Sequence, residues 1–384
     1  MALLTLPNEI LLHIITDELD SQRDISAFIR TNHWLYSLGK RALYRYNTAK
    51  HGSDALLWAA KTGNIETALS ALELGGANIN LPQTKWTPET AEDQYETPLI
   101  VATRYRHPEL VSVLLEKGAD VNSKNTAQRT ALWFAVSDGN MQLVDLLLQH
   151  PEIKPDEEGD LRNPIPYFPP FSRACERGNV AVVKALMARS DVDVDRWRGS
   201  HFPPLYMAAE NRCAAVVELL LADDRVNPNA TTMIGITGLM AAARTGDARS
   251  VRAFLRRPGV DIHKTGPRGW DALFYAAESG VEAVAEMLLN CGADVHRQAN
   301  DRSTALHVAA GRGSVAIVQL LLAHGADPSL RDIRNSTPLH RAADRDNPKV
   351  VEALLADPRV DPSLRRTYGR PSSQSLQAPA RSPM

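Results

Sequence analysis

The 384-residue sequence has little cysteine, and its three thiols, Cys175, Cys213 and Cys291, are far apart. Three scattered cysteines cannot form the disulfide framework of a small secreted domain, so we expect a reducing compartment. Each cysteine lies in an apolar stretch with helical spacing, which predicts free and buried thiols.

The sequence also lacks an excess of either charge. Lys and Arg total 43 against 45 Asp and Glu, a net charge of −2. Nucleic-acid binding as the main activity is not expected, because neutralising phosphates requires a basic excess. No segment approaches the ~20 apolar residues of a membrane helix, and residues 1–6 lack the basic start of a signal peptide. We therefore expect a soluble protein of the cytoplasm, the nucleus or both, without a membrane partner.

Motifs that carry catalytic or metal chemistry are absent as well. The sequence contains no Cys-x-x-Cys pair, no Gly-x-Ser-x-Gly elbow and no glycine-rich phosphate loop after a strand pattern. His307 and His340 occupy the same slot in neighbouring copies of a repeat, where a hydrogen-bonding role at a helix start is expected. A zinc site needs three or four converging ligands. We expect no enzyme activity, no metal and no cofactor.

What the sequence does contain is an internal repeat. Its clearest copies are Thr-Pro-Leu-His-Arg-Ala-Ala at 337–343 and Thr-Ala-Leu-His-Val-Ala-Ala at 304–310. Six of the eight intervals between successive copies are 33 or 34 residues. The leucine of the motif, or phenylalanine in one copy, recurs at Leu56, Leu99, Leu132, Phe171, Leu205, Leu239, Leu273, Leu306 and Leu339.

The remainder of each copy predicts two helices joined by a turn. A glycine turn such as Gly139-Asn140 follows the small residues, then a second apolar run such as 143–148, and the run ends at a glycine such as Gly118. Neither helix alone buries its apolar face, so stability must come from stacking of neighbours.

Period and motif together resemble the ankyrin repeat. The resemblance implies an all-α solenoid of helix–turn–helix units with short β-hairpin loops, which bind other proteins. Nine repeats are predicted over residues 53–364, and the fourth, around Phe171, is the least regular. The two long intervals predict insertions near 81–95 and 151–170. The tail, 365–384, is rich in Ser, Pro, Arg and Gln and is predicted to be disordered.

Residues 1–50 do not follow the repeat and predict three short helices. Leu-Pro at 6–7 and Glu-Ile at 9–10, then Arg-Asp-Ile at 23–25, resemble an F-box. Together with the repeats, this segment resembles a group of fungal proteins that fuse an F-box to ankyrin repeats. In that family the F-box packs on a Skp-type adaptor linked to a cullin–RING ubiquitin ligase. The resemblance implies adaptor contacts at Leu6, Pro7, Ile10, Ile14 and Leu19.

Two functions remain open at this point. The chain is either a substrate receptor of an SCF-type ubiquitin ligase, or a ligase-independent scaffold whose N-terminal helices only cap the stack. In either case it would act as a monomer within a complex, and its target is an unknown protein.

Residues at the hairpin tips are not needed for packing of the helices, so apolar residues there predict a target-binding surface. Such residues cluster in the fifth to seventh repeats, at Trp197, His201, Phe202, Met233, Ile234 and Trp270. The alternative is that these side chains pack back onto their own hairpins. First-helix positions after the alanine pair carry mixed charges, for example Glu210, Arg244 and Glu278, which predicts a solvated polar face.

Overall fold

The computed structural model describes residues 40, 44, 45, 48, 54–82, 95–156, 168–195 and 202–364. The predicted F-box-like segment, with its five adaptor contacts, lies outside the described residues apart from those four isolated positions. The predicted tail, most of the two insertions (83–94 and 157–167), and the tip residues Trp197 and His201 also lie outside them.

The described part of the chain contains eighteen α-helices that follow one another as nine pairs. None of these helices is long and apolar enough to cross a membrane. The pairs are α1 (Asp54–Thr62) and α2 (Ile65–Glu73), α3 (Pro98–Arg104) and α4 (Pro108–Glu116), α5 (Ala131–Asp138) and α6 (Met141–Leu148), α7 (Pro170–Arg177) and α8 (Val180–Met187), α9 (Pro204–Glu210) and α10 (Ala214–Leu221), α11 (Gly238–Thr245) and α12 (Ala248–Arg256), α13 (Ala272–Ser279) and α14 (Glu282–Asn290), α15 (Ala305–Arg312) and α16 (Val315–Ala323), and α17 (Pro338–Asp344) and α18 (Pro348–Leu355).

Helix α11 shows why the repeat motif makes a first helix. The Thr237 hydroxyl accepts the N–H of Met240 at 3.2 Å, which satisfies one of the free donors at the helix start. Ala241 and Ala242 are fully buried, and their small side chains let α9 and α13 pack closely on either side. The motif therefore encodes both the start of the helix and its contact with neighbours.

The second helices pack on one another in the same order. Val251 and Phe254 of α12 are fully buried, and α12 contacts α10 before it and α14 after it. Full burial of a side chain of this size contributes about 1.5–3 kcal/mol. Each pair thus completes its core with the pairs next to it.

The described chain divides into two compact units, and the boundary falls in the fourth helix pair. The first unit comprises Met1–Ala174 and Lys184–Val192, and the second comprises Cys175–Val183 and Asp193–Met384. Within the first unit, α3 packs between α1 and α5. Within the second unit, the first helices from α9 to α17 pack in chain order.

The loops between pairs are tight turns, which we call fingers. In each complete finger a backbone N–H donates to the carbonyl four residues later, as Thr232 does to Ile236 at 2.9 Å and Gly266 to Trp270 at 2.8 Å. The only β-bridge among the described residues joins Thr231 and Thr237, and none of those residues forms a strand. The predicted β-hairpins are therefore too short to extend beyond their turns.

Two glycines end first helices in the left-handed conformation but differ in their surroundings. Gly246 closes α11 with a φ of 69°, and Gly280 closes α13 with a φ of 79°. A Cβ at Gly246 would lie 2.6 Å from Cγ2 of Val281 in the next repeat, whereas a Cβ at Gly280 would meet nothing within 4 Å. Of these two glycines, Gly246 is the one whose missing side chain allows neighbouring repeats to approach closely.

We predict that Gly280→Ala lowers the free energy of unfolding by about 1 kcal/mol, because alanine is strained at positive φ. Gly246→Ala should lose about 1–3 kcal/mol more, because its methyl group collides with Val281. Urea denaturation followed by circular dichroism measures both values. Equal losses in the two variants would show that the contact between these repeats does not require glycine.

Candidate protein-binding surface

The finger of the sixth repeat presents two large apolar side chains. Met233 is 67% exposed and Ile234 is 65% exposed. Ile333, which is 65% exposed, occupies the corresponding place three repeats later, since it precedes Leu339 by the same six residues that separate Met233 from Leu239. The sequence analysis missed Ile333, although this common register identifies it.

Phe202 and Trp270 pack locally instead. The Phe202 ring stacks on Tyr206 with centroids 5.4 Å apart. The Trp270 ring stacks on Phe274 at 5.6 Å and meets Tyr275 edge-on at 5.5 Å. Both side chains are half-buried, so each offers only part of its ring to a partner.

Trp270 borders a groove of about 350 Å³ on the first-helix face of the last three repeats. We call it the first-helix groove. Its charged lining residues are Arg268, Glu278, Asp301, Arg312, Arg341 and Arg345. The guanidinium of Arg268 lies 5.2 Å from the centre of the Trp270 ring, so a cation and an aromatic face are presented together.

Charges on the first-helix face are paired across neighbouring repeats. Arg244 donates to Glu210 one repeat before it, and Arg312 donates to Glu278 in the same way. Both pairs join residues 34 positions apart, which is one repeat. The first-helix face, predicted from its mixed charges to be solvated, therefore carries ion pairs between neighbouring repeats. We call these two ion pairs clasps.

Arg341 is held by a buried carboxylate beneath the groove. Its Nη2 lies 2.6 Å and its Nε 2.9 Å from Oδ2 of Asp332. Burial alone would raise the pKa of Asp332, but hydrogen bonds from the Ser336 N–H and from Arg341 hold that pKa below its ordinary value. The carboxylate stays ionised and fixes the guanidinium at the groove.

Comparison with known proteins identifies the repeat. The profile described as ankyrin repeats in three copies matches residues 32–125, 56–159, 224–299 and 285–366, and a single ankyrin-repeat profile matches 201–233. These matches cover well over half of the chain. The chain belongs to the ankyrin-repeat family.

Individual relatives match parts of the chain at low identity. Mouse Rabankyrin-5 is 28% identical over 36% of this chain and 13% of its own length. The ankyrin repeat protein YahD of Escherichia coli K12 is 24% identical over 62% of this chain and 94% of its own length. A rice protein named "Probable E3 ubiquitin-protein ligase XBOS33" is 34% identical over 25% of this chain and 17% of its own length. This chain thus spans a small part of two of these three relatives.

The histidines of the ankyrin motif have the helix-start role predicted for them. Nδ1 of His307 accepts the N–H of Thr304 at 3.1 Å, and its Nε2 lies 3.0 Å from the carbonyl oxygen of Ser336 in the next finger. His340 makes the corresponding capping box with Thr337. No group of three or more potential metal ligands occurs among the described residues.

The three cysteines differ in burial, contrary to the uniform burial predicted from sequence. Cys175 is buried, and burial raises the pKa of its thiol far above the ordinary value. Cys213 is half-buried, and Cys291 is exposed. Cys291 is exposed because it follows the last residue of α14, where the chain leaves the packed layer.

We predict that His307 makes stability fall as the pH drops. Burial lowers the pKa of folded His307 below its ordinary value of 6.5, so the unfolded chain binds a proton that the folded chain does not. This stability is fully present above pH 6.5 and is lost progressively below it. In urea denaturation between about pH 7.5 and 5, the free energy of unfolding of His307→Gln should fall less with pH than that of wild type. Glutamine can form the capping box but does not titrate.

Exposed His324 provides the matched control for this experiment. His324→Gln should leave the pH dependence of wild type unchanged. An unaltered pH dependence in His307→Gln would contradict the assignment.

Proposed function

We propose that the chain is the substrate receptor of an SCF-type cullin–RING ubiquitin ligase. The ankyrin repeats bind the target protein, and the N-terminal segment binds a Skp-type adaptor and, through it, the cullin. One observation carries the target-binding half: exposed apolar fingers lie in the same unit as an arginine-lined groove. The ligase half is supported by the F-box-like sequence.

The target-binding half follows from the chemistry of the described surface. Met233, Ile234 and Ile333 expose apolar side chains that a partner can bury, and such anchors supply most of the affinity in protein interfaces. The first-helix groove adds fixed donors at Arg341 and Arg268 that select polar groups of the target. Phe202 and the ring edge of Trp270 complete this surface, and Trp197 and His201 are proposed on sequence grounds alone.

The ligase half needs no chemistry from this chain. A substrate receptor contributes only affinity and geometry, because ubiquitin transfer occurs on the associated enzymes. The adaptor contacts are proposed at Leu6, Pro7, Ile10, Ile14 and Leu19 from the F-box resemblance, and the spacing of Leu6, Ile10 and Ile14 predicts one apolar helical face among them. The ligase named among the relatives matches only 25% of this chain, so it is weak support for this half.

A specific observation favours the second candidate, a ligase-independent scaffold with a capped stack. Nζ of Lys40 lies 3.1 Å from Oε1 of Glu66 in α2. A Cβ at Gly75, just after α2, would lie 3.0 Å from Cβ of Tyr44. Residues that precede the first repeat therefore contact it. Such contacts are what a cap on the first repeat requires.

We predict that wild-type protein co-precipitates the Skp-type adaptor and cullin, and that Leu6→Asp with Ile10→Asp recovers neither. Two carboxylates on the apolar face would have to be desolvated in the complex. Leu355→Asp with Ile333→Asp is the matched control, because it makes the same substitutions at exposed sites of the last repeats. The control should retain both partners. Recovery of neither partner by wild type would leave only the scaffold.

We further predict that Met233→Ser with Ile234→Ser reduces recovery of the target about tenfold or more, since two anchors of about 1 kcal/mol each are removed. Quantitative mass spectrometry of co-purified proteins measures the loss. Leu355→Ser, at a side chain 45% exposed on α18, is the control and should retain the target. Undiminished recovery by the double variant would exclude the sixth finger from the interface.

A further inference from the structure

The second helices of the fifth and sixth repeats line a basic groove that is distinct from the first-helix groove. It has a volume of about 470 Å³, and α12 supplies Arg249, Arg252 and Arg256 to it. Arg257, directly after the helix, completes the set. Its apolar floor comprises Leu221, Ala222, Ala253 and Pro258. Glu218 of α10 is the one acidic residue that lines it.

Three of these arginines form a stripe along α12. Their spacing of three and four residues places Arg249, Arg252 and Arg256 on one face of the helix. Like charges at this spacing destabilise a helix by a few tenths of a kcal/mol per pair. Arg249 recovers this cost in an ion pair with Glu218, whereas an unpaired member of the stripe costs stability without such a return and points to a binding role.

Two of the arginines have cationic groups available to a partner. Arg252 and Arg256 are exposed, and neither forms an ion pair with any described residue. Arg257 pairs with Asp224 at 2.9 Å, and Arg249 pairs with Glu218. The positive charges of these two arginines are therefore already neutralised. The stripe therefore holds two uncompensated guanidinium groups beside an apolar floor.

The groove already shows how it would hold a carboxylate. Nε and Nη2 of Arg249 lie 2.8 and 2.7 Å from the two carboxylate oxygens of Glu218. The hydrogen bond from Arg249 lowers the pKa of Glu218, and the nearby charge of Arg256 lowers it further. This is the two-pronged geometry in which guanidinium groups bind carboxylates best.

We propose that this basic groove binds an extended acidic segment of a partner protein, with carboxylates at alternate positions. Arg252 and Arg256 are one helical turn apart, about 6 Å along the axis. Alternate side chains of an extended chain are about 6.6 Å apart on one side. A Glu-x-Glu sequence therefore places its two carboxylates over the two guanidinium groups, and apolar residues beside them cover the floor.

Charge complementarity favours an acidic peptide over a nucleic acid. The groove is short, its lining includes Glu218, and Asp224, whose side chain is 95% exposed, pairs with the lining residue Arg257. A continuous phosphate backbone would meet these carboxylates, whereas a peptide with a few carboxylates need not. The balanced charge of the whole chain, −2, agrees with this choice.

Fluorescence anisotropy of a labelled peptide tests the proposal with the full-length chain. The probe alternates glutamate and leucine over eight residues, and the control peptide has glutamine in place of glutamate. Wild type should bind the glutamate peptide at least tenfold more tightly than the glutamine peptide, and less tightly as salt is added. Arg252→Glu with Arg256→Glu should lose at least tenfold of that affinity. Arg302→Glu with Lys349→Glu makes the same change in net charge at exposed sites elsewhere and should bind like wild type.

Circular dichroism separates loss of binding from loss of folding, and Arg252→Gln with Arg256→Gln repeats the test without charge reversal. The proposal would be overturned if wild type bound the two peptides equally. It would also be overturned if the Arg252 and Arg256 variants bound the glutamate peptide as tightly as wild type does. Tighter binding of a single-stranded oligonucleotide or of phosphatidylserine vesicles through the same arginines would also overturn it. None of these results bears on adaptor binding, which is measured through Leu6 and Ile10.

Discussion

The structure depends on one constraint: no helix pair of this chain can bury its own apolar surface. Phe254 is fully enclosed only because α10 and α14 lie on either side of α12, and Ala241 and Ala242 are small so that α9 and α13 can approach α11. Stability is therefore local and cumulative, a sum over repeats and the interfaces between neighbours. In the described part of the chain, the surfaces available to a partner are the fingers and the two helix faces.

The helices were predictable from sequence because the repeat signal concerns backbone and packing. Thr237, the alanine pair after it and the glycine that ends α11 each have one local physical role, and that role is visible in the residue itself. The fingers were predicted less well. A turn closed by a hydrogen bond from the Thr232 N–H to the Ile236 carbonyl is too short to continue as strands, and the length of a turn is not fixed by the repeat motif.

The binding surfaces were the least predictable part, for two physical reasons. Whether an apolar residue near a finger is exposed depends on the folded surroundings: Trp270 packs against Phe274 and Tyr275 of the helix that follows it, whereas Met233 is 67% exposed. Charge pairs such as Glu210 with Arg244 form across a full repeat, so neither partner is recognisable until the stacking register is known. The arginine stripe on α12 was not predicted from sequence, because its significance depends on the groove that α10 forms beside it.

The clasps between Glu210 and Arg244 and between Glu278 and Arg312 have an evolutionary consequence. Exchanging the two members of a clasp would keep the attraction between repeats while moving the positive end of the pair by one repeat along the surface. Such coupled exchanges could redraw the electrostatic pattern that a target meets and leave the packing beneath it untouched. Because the first of the two substitutions leaves two like charges facing each other across the clasp, such exchanges are expected only as coupled pairs.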